Sequence, residues 1–216
     1  MRVSVIYYSR KGTVHALACA VAEGAQSTGA EVRLRRVSDL SPVEAVDSPH
    51  QPPAGATWQA PVATLDDVEW AHAIAFGTPS FFGSVAAPLK YFIERTDSLW
   101  KQGKLVDKVV TAFTAATHPN SGNESTLLAL YQSMYHWSAV IVPPGYSSPE
   151  IIQATGNPYG CSQYKGSLRP DQDSVLAAAR HQGRRAARIA ALVNTVPPSK
   201  PFHCGQSSVA AEEPIP

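Results

Sequence analysis

Ser9, Arg10, Lys11, Gly12, Thr13 and Val14 stand between a short apolar run, Val3-Ser4-Val5-Ile6-Tyr7-Tyr8, and an alanine-rich stretch from Leu17 to Gly24. A buried strand that feeds a helix through such a turn aims free backbone N–H groups, and the positive end of the helix dipole, at whatever lies above it. That chemistry suits an anion. The glycine pattern is not the Gly-x-Gly-x-x-Gly of dinucleotide sites, nor does it carry the Gly-Lys-Ser/Thr of triphosphate loops. Hydroxyls of Ser9 and Thr13 around a single Gly12 suit a monophosphate, as on flavin mononucleotide. The first βα turn of any α/β domain would look much the same, so this segment alone leaves the ligand open.

Two more segments have the composition of site loops. In Phe76-Gly77-Thr78-Pro79-Ser80-Phe81-Phe82-Gly83-Ser84, Pro79 fixes the backbone and Gly83 permits an unusual turn. Phe81 and Phe82 place aromatic surface there, available to a flat ligand or to the core. In Thr114-Ala115-Ala116-Thr117-His118-Pro119-Asn120-Ser121-Gly122, small residues let the backbone approach a ring and offer it N–H and C=O groups. His118 also reads as a solvent-exposed loop histidine. Farther along are Trp100 and His136, each with an ordinary reading: a core or interface aromatic, and a histidine that complements a helix C-terminus. Tyr146, Tyr159 and Tyr164 could cap a pocket or pack between subunits.

The elements that must carry these loops follow from the hydrophobic pattern. Apolar runs predict strands near 2–8, 31–37, 71–76, 108–115 and 139–142. Helical periodicity falls near 13–28, 85–97, 124–137 and 171–194. Short β-branched runs without polar alternation indicate a parallel sheet covered on both faces. Five strands alternating with helices make a doubly wound α/β domain, whose ligand belongs at the carboxyl ends of the strands. All three loops end at that edge. Two stretches lack a pattern: 41–65, rich in proline, and 145–170, rich in glycine and proline; both read as long connections. The domain spans 1–196, and 197–216, with proline, serine and acid but no period, reads as a disordered tail.

Composition narrows the function classes. The 216 residues suit one domain with a substantial core. A formal net charge of +1 gives no reason to invoke nucleic acid or an anionic membrane as partner. Three widely spaced cysteines, Cys19, Cys161 and Cys204, form neither a disulfide framework nor a zinc pattern, and no metal site is expected. No run approaches the length of a membrane span. A reducing cytoplasm is the expected location.

With these residues assembled, the chain resembles the flavodoxin-like WrbA-type NAD(P)H:quinone oxidoreductases from about Met1 to Leu192. The carriers are Tyr7-Tyr8-Ser9, Phe76-Gly77-Thr78-Pro79, Leu99-Trp100 with Gly103, Val140-Ile141-Val142-Pro143 with Gly145-Tyr146, and Pro158-Tyr159-Gly160. The resemblance implies a three-layer αβα fold around a five-stranded parallel sheet in flavodoxin order. It also implies noncovalent FMN at the carboxyl edge, and a homotetramer. Carried over by position, Ser9 to Val14 would hold the FMN phosphate. Pro79, Ser80, Phe81 and Phe82 would line the isoalloxazine, with Ala115, Ala116, Thr117, His118 and Pro119 along its other edge. His136 would reach FMN from a neighbouring subunit and act on developing charge, and Trp100 would shape the quinone pocket. NAD(P)H and a quinone would use one slot in turn, a ping-pong reaction; the alternatives are a flavodoxin-type FMN-binding electron carrier, or a family member that binds FMN weakly and lacks NAD(P)H–quinone turnover. Three departures stand out: Lys11 replaces a common aromatic, Phe81 replaces an arginine, and the third loop is about one residue longer, with Pro119 lacking an N–H.

Overall fold

The computed structural model describes residues 1–40, 60–165 and 170–197. Its first strand, β1 (Arg2–Tyr7), is buried on both faces. Val3, Val5 and Tyr7 pack to one side, and Ile6 and Tyr8 to the other. This is the period-2 alternation of a strand covered by helices on both sides. The strands β2 (Glu31–Arg36), β3 (Ala73–Phe81), β5 (Val109–Ala116) and β6 (Val140–Ile141) join it in the order β2-β1-β3-β5-β6. These pairs are all parallel. Counted over these five strands, the order is that of flavodoxins, 2-1-3-4-5. Tyr7 pairs with Gly77, and Thr78 with Thr114, so the loops leaving β1, β3 and β5 emerge side by side.

Helices α1 (Thr13–Gln26) and α7 (Gln172–Val193) cover the Val3 face. They approach closely, because a side chain at Gly24 would strike the Arg180 carbonyl and one at Gly183 would strike that of Val21. The opposite face is covered by α2 (Leu65–Trp70), α3 (Ala87–Glu94), α4 (Asp97–Lys101) and α5 (Asn123–Tyr135). Helix α2, unmarked by any long periodic run, is held by a capping box between Thr64 and Asp67.

Two sequence expectations need correction. The helix read over 85–97 is three elements. Strand β3 runs on to Phe81 and turns at Phe82-Gly83, and β4 (Ser84–Val85) returns antiparallel beside it. Helix α3 then starts only at Ala87, with a proline in its first turn, and α4 follows separately. Phe82 and Gly83 both have positive φ (52° and 74°), a tight hairpin turn that a Phe-Gly pair does not announce.

The second correction concerns 145–170, read as a loop. It holds α6 (Pro149–Ala154) and β7 (Ser162–Tyr164). The edge strand is thus split: β6 pairs with Val109 and Val110, while β7 pairs in parallel with Thr114, Ala115 and Ala116. Between them β5 loses its neighbour, and two side chains take over its hydrogen bonding. Ala112 N donates to the Tyr131 hydroxyl from α5 at 3.1 Å, and that hydroxyl donates to Tyr159 O at 2.7 Å. From α7, Gln182 Nε2 donates to Ala112 O at 2.7 Å, and Gln182 Oε1 accepts from Cys161 N at 2.6 Å. The break is stitched from both layers. Most of the connection at 41–65, the four residues 166–169 and the stretch 198–216 of the expected tail lie outside the described residues.

Candidate functional site

Gly12 is the N-cap of α1 in the left-handed region (φ 84°) and, having no side chain, makes no cap bond of its own. Ser9 Oγ accepts hydrogen bonds from Gly12 N (3.2 Å) and His15 N (3.3 Å), which pulls the turn into a cup around the helix N-terminus. A helix N-terminus ringed by Ser9, Thr13, Arg10 and Lys11 fits a phosphate group. Beneath it, the Tyr7 hydroxyl lies 2.5 Å from His15 Nδ1, and His15 Nε2 lies 3.5 Å from Cys19 Sγ. Burial lowers the His15 pKa, and burial pushes Tyr7 up to about 12 and the Cys19 thiol up. The groups under the cup are therefore neutral near pH 7, and the positive charge facing a ligand comes from the turn itself.

The second and third loops are tied to each other. Thr114 Oγ1 donates to Thr78 O (2.7 Å), and the Thr78 hydroxyl accepts from Ala86 N (3.0 Å). Ser80 Oγ donates to Ser121 O (2.9 Å) and accepts from Thr126 Oγ1 (2.8 Å). Gly122 is needed here: its φ is 78°, and a Cβ would lie 2.6 Å from Gly83 Cα. The Arg10 guanidinium stands 5.0 Å from the Phe81 ring centroid. A cation thus returns, from the first loop, to the place where the resembled family carries an arginine.

Together these loops enclose a cleft of about 190 Å³ at the carboxyl edge of the sheet. Eleven of the expected residues line it: Ser9, Arg10, Lys11, Thr13, Val14, Pro79, Ser80, Phe81, Ala115, Ala116 and Thr117. Gly12 is buried within the turn that shapes it. Phe82, His118 and Pro119 lie outside the lining, and Phe82 is fully exposed at the hairpin tip. A pocket that buries a ligand of drug size usually encloses about 300–1,000 Å³. The cleft described in one chain is smaller than that range.

Trp100 and His136 are brought together, but elsewhere. Trp100 Nε1 donates to the main-chain oxygen of His136 at 2.7 Å, and both residues are exposed. His136 caps the C-terminus of α5, whose N-terminus borders Gly83 and the cleft. Thirteen residues of helix separate the two ends, about 20 Å at 1.5 Å per residue. Sequence reasoning missed Lys165, which also lines the cleft and whose backbone N–H donates to Thr117 O at 3.2 Å. Only recognition of Ser162–Tyr164 as a strand in register with β5 could have placed it there.

Residues 1–152 match the NADPH-dependent FMN reductase family. The chain belongs to that family. Similar to it is the NAD(P)H dehydrogenase (quinone) of Deinococcus radiodurans, 38% identical over 193 residues, covering 88% of this chain and 96% of the relative. The protein of the same name from Sinorhizobium fredii is 42% identical over 200 residues, covering 88% and 97%. Among solved structures, a flavodoxin-type WrbA-like protein from Agrobacterium tumefaciens superposes with a TM-score of 0.65 at 23% identity, covering 88% of this chain and 98% of that one. An archaeal flavodoxin gives 0.60 at 18% identity, covering 88% and 99%. At those identities the structures establish the fold, which this FMN reductase family member shares with flavodoxins. Among the described residues no helix is long and apolar enough to cross a membrane, and no cluster of side chains suits a metal ion.

Proposed function

We propose that this chain is an FMN-dependent oxidoreductase that passes two electrons from NAD(P)H to quinones. The observation that carries the reading is the cleft. It joins the α1 N-terminus, with the hydroxyls of Ser9 and Thr13 and the cations of Arg10 and Lys11, to a wall formed by Phe81 and by Ala115, Ala116 and Thr117. Relatives named for this activity cover nearly the whole domain. FMN held there would supply the redox chemistry: acceptance of a hydride from NAD(P)H and delivery of two electrons to a quinone, which takes up protons to become a hydroquinone. The chain's own residues do the positioning. Ser9, Thr13 and the α1 N–H groups bind the phosphate, with Arg10 and Lys11 adding charge. The peptide groups of Ala115 to Thr117 face the ring edge.

The cleft is open on one side and small for the whole cofactor, which supports a site completed by other copies of the chain, as in a homotetramer. Trp100, Tyr135 and Tyr91 are 40%, 70% and 54% exposed, and with Phe82 they offer aromatic surface for such contacts. In that assembly Trp100 and His136 of one copy wall the cleft of another. His136 there stabilises charge developing on the quinone oxygen. One shared slot makes the kinetics ping-pong. Cys19 and Cys161 are free thiols, in keeping with a cytoplasmic location.

The test is anaerobic rapid mixing of FMN-loaded protein with NADH and NADPH, followed by benzoquinone. Bleaching near 450 nm and full recovery with quinone is the expected result. Failure of both nucleotides to bleach the flavin would leave an electron carrier. The shared site is tested by mixing Gly12→Val and His136→Ala variants, each inactive alone. Hybrid assemblies recover activity only if the residues come from different chains.

A further inference from the structure

Among the described residues, three cations line the cleft and no acidic residue does. Arg10 and Lys11 belong to the turn after β1, where a single phosphate would be bound. Lys165 does not. It follows β7, and the strand order across the site is β1, β3, β5, β7. With strands about 4.8 Å apart, the main chain at Lys165 stands roughly 14 Å across the sheet from the phosphate turn. Its backbone is held to Thr117 O, so it borders the loop that faces the ring rather than the loop that faces the phosphate.

A flavin gains negative charge at its pyrimidine edge when it is reduced, whereas the charge of its phosphate is the same in both states. A lysine ammonium is a compact point charge on a long stem. Placed at the ring end of a cleft whose described lining holds no acid, it interacts more strongly with the reduced form than with the oxidised one. We infer that Lys165 tunes the cofactor: it raises the two-electron reduction potential of FMN by stabilising the reduced, anionic ring. The inference rests on the reading of this cleft as an FMN site, and it assigns to the split edge strand the task of carrying that charge to the ring.

The experiment measures the two-electron potential of FMN bound to the wild type, Lys165→Gln and Lys165→Arg. It is combined with the dissociation constant of oxidised FMN from fluorescence quenching, and repeated with riboflavin, which has no phosphate. One unit charge at a partly exposed edge is expected to favour the reduced form about tenfold, between the limits for water and for a protein surface. For a two-electron couple tenfold corresponds to about 30 mV. Lys165→Gln should therefore lower the potential by about that amount with either flavin, and Lys165→Arg should restore it. If Lys165→Gln weakens oxidised and reduced FMN equally, or changes neither, the inference is overturned. If the wild type quenches no FMN fluorescence, the cofactor reading falls as well, and that result is distinct from a silent variant of a flavin-loaded protein.

Discussion

Replacing Gln182 by leucine removes the stitch on one face of the split edge strand while roughly conserving volume. Gln182 is 1% exposed, and its amide makes three short hydrogen bonds: to Cys161 N (2.6 Å), Thr111 Oγ1 (2.7 Å) and Ala112 O (2.7 Å). The Thr111 hydroxyl can rotate, but the Cys161 N–H and the Ala112 carbonyl cannot leave. Each buried group left without a partner costs about 1–3 kcal/mol. Leucine returns about 1–2 kcal/mol of apolar burial, leaving a net loss of about 3 kcal/mol. Urea denaturation at one fixed protein concentration, with unchanged slope, measures it. A loss below about 1 kcal/mol would show that the amide does not replace the missing ladder, and would refute the reasoning. Gln182→Glu gives a second reading. Its carboxylate can accept from Cys161 N but has no proton for Ala112 O, whereas the protonated acid has one. Burial raises a carboxyl pKa, so the native state binds more protons than the unfolded chain above about pH 4.3, and stability falls as pH rises. Gln182→Glu should therefore be less damaged at pH 5 than at pH 8.

Other perturbations probe the loops and the far edge of the sheet. Gly122→Ala must relieve both a positive φ and a Cβ 2.6 Å from Gly83 Cα, so it should weaken FMN binding by more than tenfold in a fluorescence titration. Arg10→Ala removes one charge-assisted contact and should weaken FMN about tenfold, with riboflavin affinity changed much less. At the amino edge, His72 Nδ1 and Nε2 both face donors of Arg2, at 3.1 and 3.2 Å. Its pKa is lowered by burial first, then by Arg2, Lys108 and the N-terminus. The unfolded chain thus binds a proton that the native state does not, and stability should decline as pH falls below about 6.5. His72→Asn should flatten that slope in urea titrations at pH 5 to 7.

The central sheet was legible because its signals are local. Val3 to Tyr8 is apolar on both faces, and the alanine-rich helix after Gly12 follows at once. The residues around Ser9, Ser80 and Ala115 converge because parallel strands send all their carboxyl ends to one edge. The hairpin at Phe82-Gly83 was not legible, since a Phe-Gly turn is held by Gly122 and Ser125, about forty residues away, rather than by its own sequence. Strand β7 is three residues long and exists through pairing with β5 and the clamp of Gln182, both distant in the chain. Lys165 could not be assigned to the cleft without it. Trp100 and His136 were each singled out from their own sequence context, but their contact with each other and their distance from the single-chain cleft depend on how α3, α4 and α5 follow one another.

The reciprocal glycine contacts between α1 and α7 bear on how the chain is made. Residues 13–26 leave the ribosome early, yet the surface into which Gly24 fits arrives only with residues 172–193. Until then Val3, Val5, Ala73, Ala75 and Phe113 have α1 over them but not Val175, Ala178 and Ala187. The nascent sheet is therefore half roofed through most of synthesis, with apolar surface open to misassociation. Native folding of this domain is completed only when its last helix closes over its first. A chain truncated before residue 172 would be a client for chaperones and proteases rather than a smaller enzyme.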